Sequence, residues 1–214
     1  MKRIVVVEDH PIVRRGIVQL INFEEDICSV GEAETVEDAY TVIRTEKPDL
    51  VLVDLSLKGG SGLELIKDLN RNYPDMLIIV VSLHDENVYA ERVMRAGAKG
   101  YIMKSEATES ILFAIRKVLK GGIYLSSAMQ NKFLKKMLGS EDSPINGVDM
   151  LSDRELEVFE LIGKGSSTRK IADDLNLSIK TIDTYKSHIK AKLNIKNSTE
   201  LIQFATEWSI RDSQ

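Results

Sequence analysis

The chain has 214 residues, of which 43% are hydrophobic and 29% are charged, and its formal net charge is −4. This composition is typical of a globular protein and excludes disorder throughout the chain; roughly 100–200 residues per domain allow one domain or two modest ones. The single cysteine, Cys28, excludes an internal disulfide, and no apolar run reaches the length of about 18 residues that a membrane span needs. We therefore expect a cytoplasmic protein with no membrane partner.

Residues 1–120 alternate short apolar runs with helical patterns. Strands are predicted at Ile4–Val7, Leu50–Val53 and Leu77–Val81, with weaker ones at Ile27–Ala33 and Gly100–Met103. The three strongest runs are apolar at consecutive positions, as in strands buried on both faces of a parallel sheet. Because an amphipathic helical pattern follows each strand, the sequence predicts a five-stranded, doubly wound parallel α/β sheet.

The pattern changes after residue 121. Residues 128–138 can form a short helix, and residues 139–150 are rich in Gly, Ser, Pro and Asn, which is typical of a linker. Four helical segments follow, starting after Ser152, at Thr168, after Ser178 and after Ser198, the last running to about Trp208. Ser152 and Glu155 have the spacing of a capping box, and the short connections predict a small all-α helix-turn-helix domain.

One window of the chain is basic. Residues 164–196 carry 8 Lys and Arg against 3 Asp and Glu, a net charge of +5 inside an acidic protein. Such a window is compatible with a polyanionic partner, although taken alone it is more often a solvated face.

Polar residues stand where four of the predicted strands end. They are Glu8 and Asp9, Asp54, Ser82, and Lys104. Because the carboxyl ends of parallel strands meet at one edge of a sheet, these side chains are expected to converge. Oxygen ligands of this kind suit Mg²⁺, and a carboxylate beside the ion can accept a phosphoryl group. The alternative, in which each acid merely caps a helix, does not explain all five together.

Residues 1–121 resemble a receiver domain, the phospho-accepting module of two-component response regulators, which has a flavodoxin-like fold. The matching residues are Glu8, Asp9, Asp54, Ser82, Tyr101 and Lys104, with the stretch 94–101. The resemblance implies that a sensor histidine kinase phosphorylates Asp54. It also implies that Mg²⁺ binds Glu8, Asp9, Asp54 and the backbone carbonyl of Ser56, that Ser82 and Lys104 hold the phosphoryl oxygens, and that Tyr101 is a switching aromatic.

Two positions of residues 1–121 depart from the receiver pattern. Lys58 stands where the family usually has Pro, and Ser105 replaces the Pro that commonly follows Lys104. The second departure leaves both isomers of the peptide after Lys104 open.

Residues 150–214 resemble the DNA-binding domain of the NarL/FixJ (LuxR-type) family. The resemblance rests on the stretches 151–155 and 178–182 with Gly165, Ile171, Ala172, Leu175, Lys192 and Leu193. At helical spacing, the third helix has an apolar face opposite short polar side chains that can enter a major groove, while lysines flank them to reach phosphates. The predicted DNA-binding residues are Lys180, Thr181, Asp183, Thr184, Lys186, Ser187 and Lys190.

These patterns together predict a transcription regulator rather than a metabolic enzyme. The expected organisation is a receiver at 1–121, a linker with a possible short helix at 122–149, and a helix-turn-helix domain at 150–214 that binds promoter DNA. We expect a homodimer on phosphorylation or DNA binding, formed through the receiver, the last helix or both. One rival is an aspartyl phosphohydrolase, which would need an Asp where Ser56 stands; another is a phosphorylation-independent binding module.

Overall fold

The computed structural model of the chain describes residues 1–138 and 147–212. Contacts between Cα atoms divide the chain into two compact units, Met1–Lys135 and Lys136–Gln214. Within the described ranges, no helix has the length and apolar character needed to cross a membrane.

The first unit is built on a parallel sheet, as the sequence predicts. Its strands are β1 (Lys2–Val7), β2 (Ile27–Ala33), β3 (Leu50–Val53), β4 (Leu77–Ser82) and β5 (Gly100–Met103). They are ordered β2-β1-β3-β4-β5 and every neighbouring pair is parallel. The chain crosses over between β1 and β3, so the carboxyl ends of these two strands form the switch point at which open α/β sheets bind ligands.

Helices cover both faces of the sheet. They are α1 (Pro11–Asn22), α2 (Val36–Glu46), α3 (Gly62–Asn72), α4 (Glu86–Ala96) and α5 (Ala107–Leu119). Thr35 and Ser61 cap α2 and α3 by accepting from backbone amides three residues on. All four residues of β3 are buried, which explains why the central strands are apolar at consecutive positions.

A further helix, α6 (Ser127–Met137), follows in the predicted linker, close to the expected 128–138. Before it, Tyr124 pairs with the edge of β5: the Tyr101 amide donates to the Tyr124 carbonyl at 3.0 Å. Ser126 then donates to the Glu86 carboxylate of α4 at 2.6 Å and also caps α6. The start of α6 is therefore fixed to β5 and α4.

The second unit is helical. It contains α7 (Asp153–Gly163), α8 (Thr168–Asp174), α9 (Ile179–Lys192) and α10 (Ser198–Asp212), preceded by a 3-10 turn at Gly147–Met150. Most of the linker predicted at 139–150 lies outside the described residues, but its end is this turn, in which Val148 is buried. The predicted capping box is confirmed, since Ser152 and Glu155 bond to each other's backbone amides.

The last helix differs from its prediction at both ends. Asn197, not Ser198, caps α10, because the Asn197 side chain accepts from the Glu200 amide at 2.9 Å. The helix also continues past Trp208 to Asp212. The Trp208 ring packs against the buried Phe159 of α7, with 5.6 Å between the ring centroids. This contact holds the turn of α10 that contains Trp208 on the core.

Candidate functional site

Carboxylates from two neighbouring strands meet at the switch point. Glu8 and Asp9 follow β1 and Asp54 follows β3, and the pairing of Val7 with Val53 brings them side by side. Glu8 and Asp54 are each 2% exposed. One ligand atom from each of Glu8, Asp9, His10 and Asp54 lies within 4.8 Å of the others. His10 was not predicted as a member of this cluster; its place directly after the acidic pair is the signal.

Lys104 reaches the same cluster from the end of β5. Its ammonium lies 2.7 Å from a Glu8 oxygen and 2.8 Å from Asp54 Oδ2, and its side chain is 7% exposed. The peptide between Lys104 and Ser105 is trans, which settles the isomer left open by the sequence. The structure thus brings together Glu8, Asp9, Asp54 and Lys104 of the strand-end residues predicted to converge.

Burial and charge pairing shift the pKa values of two groups in this cluster, Asp54 and Lys104. It raises the pKa of the Asp54 carboxyl; Lys104 lowers that pKa and the Glu8 carboxylate raises it, with a net upward shift. Burial lowers the pKa of the Lys104 ammonium, but the Asp54 and Glu8 carboxylates outweigh it and the net shift is upward. Additional positive charge beside Asp54 would therefore stabilise its ionised form.

Two carboxylate oxygens of the cluster are buried without a hydrogen bond from the described residues, Asp9 Oδ1 and Asp54 Oδ1. Asp9 Oδ1 lies 2.7 Å from His10 Nδ1, but the contact lacks hydrogen-bond geometry. Buried anionic oxygens without partners are costly unless a cation binds them. The donor set consists of carboxylates close to one another, and it fits a hard divalent ion such as Mg²⁺.

His84 connects the other predicted residues. Its amide donates to Ser82 Oγ at 3.3 Å, its carbonyl accepts from the Tyr101 hydroxyl at 2.8 Å, and its Nε2 lies 2.9 Å from Ser56 Oγ. Its ring also packs on Tyr89 of α4, with centroids 4.8 Å apart. In the sequence, the position of His84 two residues after Ser82 fits equally a residue that flanks the phosphoryl site and a loop residue with no role; the structure bonds it to Ser82, Tyr101 and Ser56.

Tyr101 lies inside the protein. The residue is 1% exposed, so the aromatic that the receiver resemblance implies to be a switch is already in an inward position. The hydrogen bond to the His84 carbonyl satisfies the hydroxyl there, so the inward position does not require a phosphoryl group.

Two residues that support the site were missed. Gly62, at the start of α3, donates its amide to the Leu55 carbonyl, and a Cβ there would lie 2.3 Å from the Asp54 carbonyl oxygen. Arg14 of α1 is buried and donates to the Glu8 carbonyl at 2.7 Å. The signal for Arg14 is a charged residue at helical spacing with the buried Ile17 and Ile21.

The third helix of the second unit, α9, presents short polar side chains. Four of the seven predicted DNA-binding residues are exposed: Lys180, Asp183, Thr184 and Ser187. The other three are partly buried: Thr181, whose hydroxyl lies 2.8 Å from that of Ser178; Lys186, whose ammonium donates to Thr168 of α8; and Lys190. Ile182 and Ile189 are buried on the opposite face.

A buried carboxylate joins α7 to α9. Glu155 is 4% exposed, and its Oε2 accepts from the Lys192 ammonium at 2.6 Å and the Ser152 amide at 2.7 Å. Burial raises the pKa of Glu155, but the bonds from Lys192 and Ser152 outweigh it, and the net shift is downward. This contact fixes the end of α9 to the capped start of α7.

Comparison with known families matches each of the two units to a family model. A model of the response regulator receiver domain matches residues 4–116, and a model of bacterial regulatory proteins of the luxR family matches residues 149–205. The chain therefore belongs to the response regulators of the NarL/FixJ family, which join a receiver to a LuxR-type DNA-binding domain. It is a phosphorylation-regulated, DNA-binding regulator of transcription, as the sequence predicted.

Individual relatives match over almost the whole chain. The oxygen regulatory protein NreC of Staphylococcus haemolyticus is 35% identical, over 98% of this chain and 99% of its own, and NreC of Staphylococcus aureus is 36% identical, over 95% and 96%. The structure of RcsB from Salmonella enterica serovar Typhimurium, bound to the promoter rprA with the phosphomimetic BeF3−, is 27% identical. It covers 96% of this chain and 98% of its own, with a TM-score of 0.70.

Proposed function

We propose that Asp54 accepts a phosphoryl group from the phosphohistidine of a sensor histidine kinase, in a reaction that needs Mg²⁺. The observation that carries this proposal is the buried cluster of Glu8, Asp9 and Asp54, in which Asp9 Oδ1 and Asp54 Oδ1 make no hydrogen bond while Lys104 contacts the other Asp54 oxygen. A nucleophilic carboxylate, carboxylates for a cation and a fixed ammonium are the groups that phosphoryl transfer to Asp requires.

Each residue has a defined part in the transfer. An Asp54 carboxylate oxygen attacks phosphorus, a P–O bond forms, and the P–N bond to the kinase histidine breaks. Lys104 pairs with one phosphoryl oxygen, and the hydroxyl of Ser82 donates to another. Glu8, Asp9, Asp54 and the Ser56 carbonyl would hold Mg²⁺, which supplies positive charge that offsets that of the phosphoryl oxygens.

Acetyl phosphate as donor tests this assignment. We expect a Mg²⁺-dependent gain of one phosphoryl group in the intact mass of the full chain, abolished by Asp54→Asn and strongly reduced by Asp9→Ala, because the first removes the nucleophile and the second a metal ligand. Asp68→Asn, which alters a half-buried carboxylate of α3 bonded to Tyr40, is the matched control and should label normally. A phosphoryl adduct that persists in Asp54→Asn would show that another residue is the acceptor.

For the second unit, we propose that α9 enters the major groove of promoter DNA. The exposed Thr184, Ser187, Asp183 and Lys180 would face the bases, while Lys186 and Lys190 would lie near phosphates. Structures of RcsB bound to promoter DNA, including one of two RcsB dimers on parallel DNAs, support this use of the domain. We further propose a cytoplasmic protein that binds as a homodimer, with the receiver at 1–121 and the DNA-binding domain at 150–214.

A further inference from the structure

Arg14 is a buried cation next to the acidic cluster. The residue is 7% exposed, and its guanidinium donates to three oxygens: the Glu8 carbonyl at 2.7 Å, Glu34 Oε1 at 2.6 Å and Glu32 Oε2 at 3.2 Å. Burying an arginine is costly unless its donors are satisfied, so this fork is a built feature of the site and not a chance surface contact. One of its three bonds goes to the backbone of the proposed metal site.

The bond from Arg14 to the Glu8 carbonyl holds the peptide that joins Glu8 to Asp9. The Glu8 amide donates to the Ala33 carbonyl of β2 at 3.0 Å, and Arg14 holds the Glu8 carbonyl, so both backbone groups of Glu8 are fixed. The Glu8 carbonyl belongs to the peptide that joins Glu8 to Asp9, the two carboxylates of the cluster that come from one strand. Rotation of this peptide would turn the Asp9 carboxylate away from Asp54.

We propose that Arg14 is a positioning residue for the divalent cation, which fixes the Glu8–Asp9 peptide so that both carboxylates face Asp54. The inference rests on the proposed function, because it assumes that the cluster binds a metal ion. The carboxylates of Glu32 and Glu34 neutralise the guanidinium charge and anchor it to the edge strand β2. Arg14 therefore acts through geometry, as outer partners of metal ligands do.

Direct metal binding tests the role. The full chain is titrated with Mn²⁺ alone, and free Mn²⁺ is followed by electron paramagnetic resonance; binding that disappears in Asp9→Ala defines the site. We expect Arg14→Ala to weaken this binding about 10-fold, the usual cost of removing an outer partner of a metal ligand. Arg14→Lys keeps the charge but lacks the planar fork whose separate nitrogens reach the three oxygens, so it should restore only part of the affinity.

Arg116→Ala is the matched control. Arg116 also binds two carboxylates, Glu24 and Asp26, but these bonds join α5 to the loop before β2 and do not reach the cluster. We expect its Mn²⁺ affinity to equal that of the unaltered chain. A second readout separates positioning from stability: with acetyl phosphate, Arg14→Ala should need more Mg²⁺ for half-maximal labelling, yet approach the normal rate at saturating Mg²⁺.

The possible results distinguish a wrong metal site from a wrong role for Arg14. If the unaltered chain shows no Mn²⁺ binding that depends on Asp9, the proposed metal site itself is wrong, and this inference falls with it. If the unaltered chain binds Mn²⁺ and folded Arg14→Ala binds it equally well, the site stands and the role of Arg14 is overturned. Should Arg14→Ala not fold, Glu34→Gln decides instead: this half-exposed anchor should lower Mn²⁺ affinity by about 2- to 5-fold, and no change would refute the role.

Discussion

Gly62 has no side chain, and this allows the start of α3 to lie close to the backbone of Asp54 and Leu55. A Cβ at this position would lie 2.3 Å from the Asp54 carbonyl oxygen and 2.6 Å from Leu55 Cα. Both neighbours are backbone atoms, so they cannot turn aside as the end of a flexible side chain can. An alanine must therefore displace the backbone of Asp54, the proposed nucleophile, and of Leu55.

We expect Gly62→Ala to lower the free energy of unfolding of the receiver by about 1–3 kcal/mol, as overpacking does, and to slow labelling by acetyl phosphate. Gly16→Ala is the control, since Gly16 lies within α1 and nothing approaches its Cβ position within 4 Å; it should stabilise the helix by up to about 1 kcal/mol. Urea unfolding followed by circular dichroism measures both variants. Equal stability of Gly62→Ala and the unaltered chain would contradict the close approach.

Residues on α9 should divide into two kinds by their effect on DNA binding. Lys190→Ala should weaken binding to all sequences alike and lower the salt slope by about one, because it removes one phosphate contact. Thr184→Ala should instead alter sequence preference, because the exposed Thr184 side chain faces outward. Binding to a panel of DNA sequences at several salt concentrations distinguishes them. A Lys190→Ala variant with altered base preference and an unchanged salt slope would show that α9 is oriented differently.

At the scale of elements, Glu155 couples α7 to α9 through a carboxylate that must be ionised. Its pKa is lowered in the folded protein, so the contact contributes stability above the ordinary pKa of 4.5, and that contribution is lost as the pH falls through the folded value. We expect Glu155→Gln to destabilise the second unit by about 1–2 kcal/mol at pH 7, and by less at pH 3. Melting followed by circular dichroism at the two pH values provides the measurement.

Glu157→Gln controls for the loss of a carboxylate from the same helix. Glu157 pairs with Arg154 along α7, an i,i+3 contact worth about 0.5 kcal/mol or less. If Glu155→Gln destabilises the protein equally at pH 7 and pH 3, the ionised contact with Lys192 is not the source of the effect.

Sequence patterns predict elements well where one local signal dominates. The apolar runs predict the five strands, and the ends of these runs predict that Glu8, Asp54 and Lys104 lie at one edge of the sheet. The start of α10 was placed one residue late because Asn197 and Ser198 are both good caps, and only the fold decides which side chain meets the Glu200 amide.

Contacts between distant elements are the part that the sequence does not predict. The bond from Arg14 to the Glu8 carbonyl depends on how α1 lies against the end of β1, and the fork to β2 depends on the sheet order. The inward position of Tyr101 likewise depends on the carbonyl of His84, which no periodicity places. Such contacts arise from packing and leave no local pattern.

At the scale of the whole molecule, a continuous set of hydrogen bonds leads from Ser56, in the loop after Asp54, to the segment just before α6. Ser56 contacts His84, the carbonyl of His84 holds Tyr101, and the Tyr101 amide donates to Tyr124 just before α6. Ser82, which we propose binds a phosphoryl oxygen, accepts from the His84 amide. We expect phosphorylation of Asp54 to act on Ser82 and, along these bonds, on the segment before α6.

We expect phosphorylation of the full chain to raise its affinity for operator DNA at fixed salt. Ser126→Ala removes the bond to Glu86 that fixes α6 to α4, so it should reduce this gain while leaving labelling of Asp54 normal. Ser127→Ala, an exposed neighbour at the start of α6, is its control and should keep the full gain. Equal operator affinities with and without phosphorylation, in samples shown to be labelled, would rule out the coupling.

The packing of Trp208 on Phe159 gives the molecule a built-in optical reporter. Trp208 is the one tryptophan of the chain, and it belongs to the helical unit, whereas the receiver absorbs and emits through tyrosines. Intrinsic fluorescence excited at the red edge thus follows the DNA-binding unit alone, with no label attached. Comparing that signal with an ellipticity trace, to which both units contribute, separates the unfolding of one half of the chain from that of the other.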